Sequence, residues 1–258
     1  MNILEHNSTA WNKLAEKNIE WSVPVSSEEI ERARKGDWKI ILTPIKSVPC
    51  QWFGDVRGKD ILCLASGGGQ QSPILAAAGA NVTSFDASEK QLEKDSFVAT
   101  RENLKIKIEK GDAADLSRFE DESFDLIFHP CSNCFMANLV PIWRECFRVL
   151  RRGGALLAGF NNPIVYIFDA AAEDDEGLLR VRHQLPYSDA ESLSEAEKNE
   201  ILKKNAPFEF SHTLDEQIGE QIAAGFLIAG FYEDCWTDEA RLLNKYAPTF
   251  MATKAVKP

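Results

Sequence analysis

Residues 60–79 read Asp60-Ile61-Leu62-Cys63-Leu64-Ala65-Ser66-Gly67-Gly68-Gly69-Gln70-Gln71-Ser72-Pro73-Ile74-Leu75-Ala76-Ala77-Ala78-Gly79. An apolar run of strand length stops at Ser66, three glycines follow without a break, and a Leu/Ala-rich stretch begins after them. Strand, glycine turn and helix is the natural parse. Pro73 suits the first turn of a helix, where its missing N–H costs nothing, and Gly79 suits the left-handed position that ends one. Such a turn brings backbone close to a ligand and aims helix N-terminal N–H groups at it. No Gly-Lys-Ser/Thr follows, which excludes a phosphate-binding P-loop, and Ser72 stands where a dinucleotide fingerprint wants its third glycine. Asp86, seventeen positions after Gly69, ends the next apolar run and is placed to take two ribose hydroxyls.

Working outward, Asn81–Asp86 reads as a second strand, and Ser88-Glu89-Lys90-Gln91 as a capping box opening a helix to about Asn103. Ile106-Lys107-Ile108 alternates as a third strand before Gly111-Asp112-Ala113-Ala114-Asp115, and Phe124–His129 gives a fourth. Apolar positions 139, 142, 143, 146, 147 and 150 follow helical spacing, and Arg151-Arg152-Gly153-Gly154 reads as the stop. Residues 155–160 form a fifth strand. Alternating βα units of this kind predict a mostly parallel sheet. The rhythm then breaks over 164–212. Thr213-Leu214-Asp215-Glu216 opens a helix expected to stop at Gly225, and 226–232 and 249–254 read as two late strands pairing antiparallel. Upstream, Trp11, Trp21, Trp38 and Trp52 punctuate the first 59 residues, with Ser26-Ser27-Glu28-Glu29 as a capping box and Gly36 as a helix stop.

The 258 residues carry 29 Lys+Arg against 40 Asp+Glu, a net charge of −11, with 44% hydrophobic and 27% charged residues. That is the composition of a globular protein and not of a disordered one. An acidic chain is repelled by nucleic acid and anionic lipid, so neither is an expected partner. The longest apolar run, Ile222–Tyr232, has eleven residues and two glycines, well short of the roughly 20 that cross a bilayer. The start lacks a basic and apolar leader, so the expected compartment is the cytoplasm. Six scattered cysteines fit buried thiols better than a disulfide framework. Cys131-Ser132-Asn133-Cys134 has no second pair to complete a zinc site, and no metal is expected.

Residues 60–160 resemble the class I S-adenosylmethionine-dependent methyltransferases, in particular the small-molecule enzymes similar to the ubiquinone/menaquinone methyltransferases. Ile61–Gly69 looks like the first motif of that family, Asp86 its ribose-binding acid, and Gly111-Asp112-Ala113 the loop that meets adenine. Ser123–Phe128 looks like its fourth strand, and Glu145–Gly154 its passage from helix to fifth strand. The resemblance implies a Rossmann-like α/β fold: a central, mostly parallel seven-stranded sheet with an antiparallel last strand and helices on both faces. It further implies that Ala65, Ser66, Gly67, Gly68, Gly69, Gln70, Asp86, Ala87, Gln91, Asp112, Ala113 and His129 bind S-adenosylmethionine. Two positions depart from the pattern, Cys63 where the family usually has an acid and Ala65 where it has glycine.

The expected organisation is one domain: an N-terminal helical extension or lid over 1–59, a cofactor core over 60–160, a substrate-lid insert over 161–213, and a C-terminal helix and strand pair over 214–258. The expected activity is methyl transfer to a small-molecule acceptor. The alternatives are a non-catalytic binder of S-adenosylmethionine or S-adenosylhomocysteine, and a nicotinamide-dependent oxidoreductase, which leaves the Gly111-Asp112 loop and the late strands unexplained. His129, directly after the fourth strand, is the candidate general base, since ligands sit beyond the carboxyl ends of strands in open α/β sheets. Its other reading is a histidine capping a turn. Trp52, His129, Tyr166 and the 164–212 insert mark the expected acceptor pocket. The acid run 173–176 reads as a solvated face. Residues 161–213 hold eleven acids against five bases, which disfavours an anionic acceptor nearby.

Overall fold

A computed structural model describes residues 2–237 and 240–258. Its seven strands are β1 (Asp60–Leu64), β2 (Asn81–Asp86), β3 (Ile106–Lys110), β4 (Phe124–His129), β5 (Leu150–Asn161), β6 (Leu227–Asp234) and β7 (Phe250–Val256). They form one sheet in the order β3-β2-β1-β4-β5-β7-β6. The first five run parallel, and β7 runs antiparallel to both β5 and β6. The helices are α1 (Ile3–Glu16), α2 (Ser27–Arg34), α3 (Cys50–Phe53), α4 (Gln71–Ala77), α5 (Glu89–Glu102), α6 (Val140–Val149), α7 (Ala170–Glu176), α8 (Asp189–Ser192), α9 (Glu195–Lys204) and α10 (Glu220–Ala223).

A parallel sheet covered on both faces needs apolar side chains in both directions, which is why β1 and β4 read as continuous apolar runs. Ile61 and Cys63 of β1 face one core with Phe128, Leu157, Ile30 of α2 and Leu75 of α4. Leu62 and Leu64 face the other with Phe85, Ile127, Leu156 and the buried stripe of α6 at Ile142, Trp143, Cys146 and Val149. Trp143 is fully buried, and its indole N–H donates to the Glu216 carbonyl at 2.9 Å.

Three local expectations are corrected. The fifth strand is longer than the expected 155–160: α6 stops at Val149 and runs directly into β5 at Leu150, and Gly153 at φ +77° lets its N–H reach the Lys257 carbonyl at 2.8 Å. The helix from Thr213 does open on its capping box, with Glu216 N donating to Thr213 Oγ1 and Thr213 N to Glu216 Oε2. It begins, however, as a π-turn over Asp215–Gly219, where the Gln221 side chain takes the Gln217 carbonyl at 2.6 Å. In the acid run, Glu173 is buried and accepts from Arg241 Nε and the Leu243 N–H, so it is a structural group.

Candidate active site

A cavity of about 300 Å³ opens beyond the carboxyl ends of β1, β2, β4 and β5. Ala65, immediately after β1, takes φ +47°, the left-handed conformation that an L-residue adopts at a cost of about 1–2 kcal/mol. The three glycine N–H groups that follow are anchored by α5 and the end of β2. Gly67 donates to Asp86 Oδ2 (3.0 Å), Gly68 to the Gln91 carbonyl (3.0 Å) and Gly69 to Asp95 Oδ1 (2.9 Å). Gly67 has no room for a side chain, since a Cβ there would stand 2.6 Å from Gln91 Cβ and 3.2 Å from Asp86 Oδ2.

Asp86 also accepts from the Ser88 N–H at 2.8 Å, and burial raises its pKa against these hydrogen bonds. Asp112 accepts from the Ala114 N–H at 3.0 Å. Both carboxylates line the cavity, as do Ala65, Ser66, Gly67, Gln70, Ala87, Gln91 and Ala113. Gln91 Oε1 is buried without a hydrogen-bond partner among the described residues. Gly68 and Gly69 do not line the cavity, because their N–H groups turn towards α5.

The structure does not bring His129, Trp52 or Tyr166 to the cavity wall. His129 is fully buried, with Nδ1 3.0 Å from the Leu64 carbonyl and Nε2 2.7 Å from the Asn133 side chain. Burial lowers its pKa, and with both nitrogens engaged it ties the end of β4 to β1. Trp52 packs on β6, its indole against Gly230 and 5.4 Å from the Tyr232 ring. Tyr166 stands one layer behind the wall, its hydroxyl bonded to Asn161 and Glu209, which do face the cavity.

The aromatic residues of the cavity are others. Trp11 of α1 lies edge-on to Phe135 at 5.0 Å, and Trp21 meets Trp236 at 5.4 Å. Ser8 of α1 donates to the Ala87 carbonyl, and Asn12 Oδ1 accepts from Ser88 Oγ and the Lys90 N–H. These contacts seat α1 over the end of β2. Cys131, Cys134, Asn161 and Glu209 supply polar atoms to the far wall, and no Lys or Arg lines the cavity among the described residues. No group of three His, Cys, Asp or Glu is placed to hold a metal among the described residues, and no described helix is long and apolar enough to cross a membrane.

The family described as "Methyltransferase domain" matches residues 62–158. An uncharacterized methyltransferase of Bacillus subtilis (strain 168), YbaJ, is 48% identical over 255 residues, covering 99% of this chain and 98% of that one. The sterol 24-C-methyltransferase erg6 of Aspergillus fumigatus is 29% identical over 167 residues, covering 63% of this chain and 43% of its own. Among solved structures, an S-adenosylmethionine-dependent methyltransferase from Mesorhizobium loti superposes with a TM-score of 0.61 at 20% identity, over 80% of this chain and 94% of that one. Its likeness is one of fold. Sheet order, glycine loop and end-to-end similarity to a methyltransferase agree, and the chain belongs to the class I S-adenosylmethionine-dependent methyltransferases.

Proposed function

We propose that the chain transfers the methyl group of S-adenosylmethionine to a small acceptor with an apolar body. The observation that carries this reading is the composition of this cavity: its β1–β3 half offers Asp86, Asp112 and glycine-loop backbone, and the rest is walled by Trp11, Trp21, Phe135, Met136 and Trp236. The sterol substrate named for the Aspergillus relative supports an apolar acceptor.

The residues present fit the methyl donor. Asp86 spends one lone pair on each of two backbone donors and, with about four acceptor sites on a carboxylate, keeps capacity for the ribose hydroxyls. The unpaired Gln91 Oε1 beside it is a further acceptor for a bound donor group. Asp112 would take the adenine amino group and the Ala113 N–H a ring nitrogen, while Ala65, Ser66, Gly67 and Gln70 would hold the methionine portion. When bound, S-adenosylmethionine supplies a methyl carbon on a sulfonium, a leaving group that departs as a neutral thioether. The protein's part is to hold the acceptor in line and keep water out. Positioning of this kind is worth roughly 7–11 kcal/mol of a bimolecular barrier, and the cap of α1, Trp21 and Trp236 provides the enclosure.

Calorimetric titration with S-adenosylmethionine, S-adenosylhomocysteine and NAD tests the reading. Micromolar binding of the sulfur ligands, none of NAD, and a loss in Asp86→Ala are expected. Loss of hydrogen bonds to a charged acceptor is worth about 1.5–3 kcal/mol, or roughly 10-fold to 150-fold in affinity. No binding of either sulfur ligand would remove the reading, and binding without turnover of any acceptor would favour a non-catalytic sensor.

A further inference from the structure

Beyond the glycine loop, the ends of β4 and β5 and the insert carry a directed hydrogen-bond chain into the cavity wall. Cys131 Sγ donates to Asn161 Oδ1 at 2.7 Å, Asn161 Nδ2 donates to the Tyr166 hydroxyl at 2.9 Å, and that hydroxyl donates to Glu209 Oε2 at 2.8 Å. The phenol has one proton, and with Asn161 donating to its oxygen the proton goes to Glu209. The carboxylate is therefore the terminal acceptor of the chain. Its other oxygen, Oε1, has no partner among the described residues, and Glu209 lines the cavity.

Glu209 differs from the other two carboxylates of the cavity. Asp86 and Asp112 are tied to backbone N–H groups at the β2 and β3 ends. The Glu209 carboxylate takes a hydrogen bond from Tyr166 alone among the described residues, and it lines the cavity from the insert. The charged or titratable groups around it are Tyr166, Cys134 and Cys131 from the turn after β4 and that after β5, Asp189 of α8, and Arg241. Arg241 is committed to Glu173 and the Val165 carbonyl, and Asp189 to the Tyr187 hydroxyl and the Glu209 N–H. Burial, reinforced by Asp189, raises the Glu209 pKa against the hydrogen bond from Tyr166 and the field of Arg241, which makes it a stronger base than a solvated carboxylate.

We propose that Glu209 is the general base of the transfer and that the acceptor is an amine on an apolar body. This rests on the methyl-transfer reading above. With Asp86 and Asp112 taken by the methyl donor, Glu209 is the carboxyl group left to the acceptor, and no Lys or Arg lines the cavity among the described residues, so an ammonium is attracted there, whereas a phenolate, carboxylate or phosphate finds no counter-charge from a protein side chain. Oε1 takes a proton from R–NH3+, leaving R–NH2 with its lone pair free. Nitrogen then attacks the methyl carbon; the N–C bond forms as the C–S bond breaks, its electron pair going to sulfur. The products are R–NH2+–CH3 and S-adenosylhomocysteine, and protonated Glu209 returns its proton to water after product release.

The test uses the full chain with labelled S-adenosylmethionine and a panel of benzylamine, phenethylamine and tryptamine beside benzyl alcohol, phenol and p-cresol. Methylation of an amine, with the hydroxyl compounds inert, is expected. Glu209→Gln should keep S-adenosylhomocysteine affinity within twofold, lose roughly 10²–10⁴ in kcat/KM, and move the acidic limb of the pH profile up towards the pKa of the amine itself. Tyr166→Phe should lose less and shift that limb without abolishing it. Wild-type turnover by Glu209→Gln, methylation of the phenols in preference, or no amine turnover despite intact S-adenosylhomocysteine binding would each overturn the proposal. Absence of that binding in the wild type would instead speak against the methyl-transfer reading itself.

Discussion

Asp95 is a residue whose chemistry no motif announces. It sits on α5, fully buried, accepting from the Gly69 N–H and from Ser84 Oγ at 2.6 Å. Cys63, where the family usually has an acid, is buried with its thiol pushed up to about 12, and the glycine loop is instead anchored from α5. Burial raises the Asp95 pKa from 3.8 to about 7, against its two hydrogen bonds. A carboxyl whose folded pKa exceeds its unfolded value makes the native state bind more protons across that interval, so stability falls as pH rises from about 4 to 7. Asp95→Asn lacks this slope, since an amide is neutral throughout and can still accept from Gly69 while Ser84 rotates to accept in turn. The Tm of the variant relative to wild type is expected to rise between pH 5 and pH 8. Equal differences at both pH values would show that Asp95 is not held against its charge.

At the scale of elements, α1 depends on Asn7, which is 4% exposed. Its side chain donates to the carbonyls of Phe135 and Phe208 and accepts from the Phe208 N–H at 2.8 Å, joining α1 to the turn after β4 and to the insert. Asn7→Ala leaves that N–H without a partner, a cost of about 1–3 kcal/mol. Hydrogen exchange is expected to speed up over α1 while β1 and β4 keep their protection; unchanged exchange in α1 would mean that the helix is held by its apolar face alone. The same element shows where the sequence stops being legible. The parallel strands can be read from residue types because each is an apolar run closed by a turn: Asn81–Asp86 and Phe124–His129 match residue for residue, and β1 ends one residue early, at the left-handed Ala65. The cap is different. Ser8 reaches Ala87 across 79 positions, and nothing in local spacing distinguishes Trp11 and Trp21, which face the cavity, from Trp52, which packs on β6. The insert has little periodicity to read: α9 has no buried residue. Glu209 is not legible for the same reason, since only the folded chain places it beside Tyr166 and Asn161.

For the whole molecule, α1, α5 and the glycine loop are one mechanical unit. Asn12 of α1 caps the start of α5 through Ser88 and Lys90, α5 anchors the glycine loop, and Trp11 lines the cavity together with Asp86. A ligand that fills the space between these parts binds only when all are in place, so its binding free energy is shared by the fold. S-adenosylhomocysteine at 100 times its Kd should contribute about 2.7 kcal/mol. At roughly 2–4 °C per kcal/mol for a chain near this size, Tm should rise by about 5–10 °C. The distribution of the effect discriminates more sharply than its size. Amides of α1 and of the start of α5 should gain protection with the ligand bound, while α9, which contributes nothing to the cavity wall, should not. Equal gains in α1 and α9 would indicate general stabilisation without closure, and a rise in Tm with α1 unchanged would place the ligand in the glycine-loop half alone, leaving the cap to the acceptor.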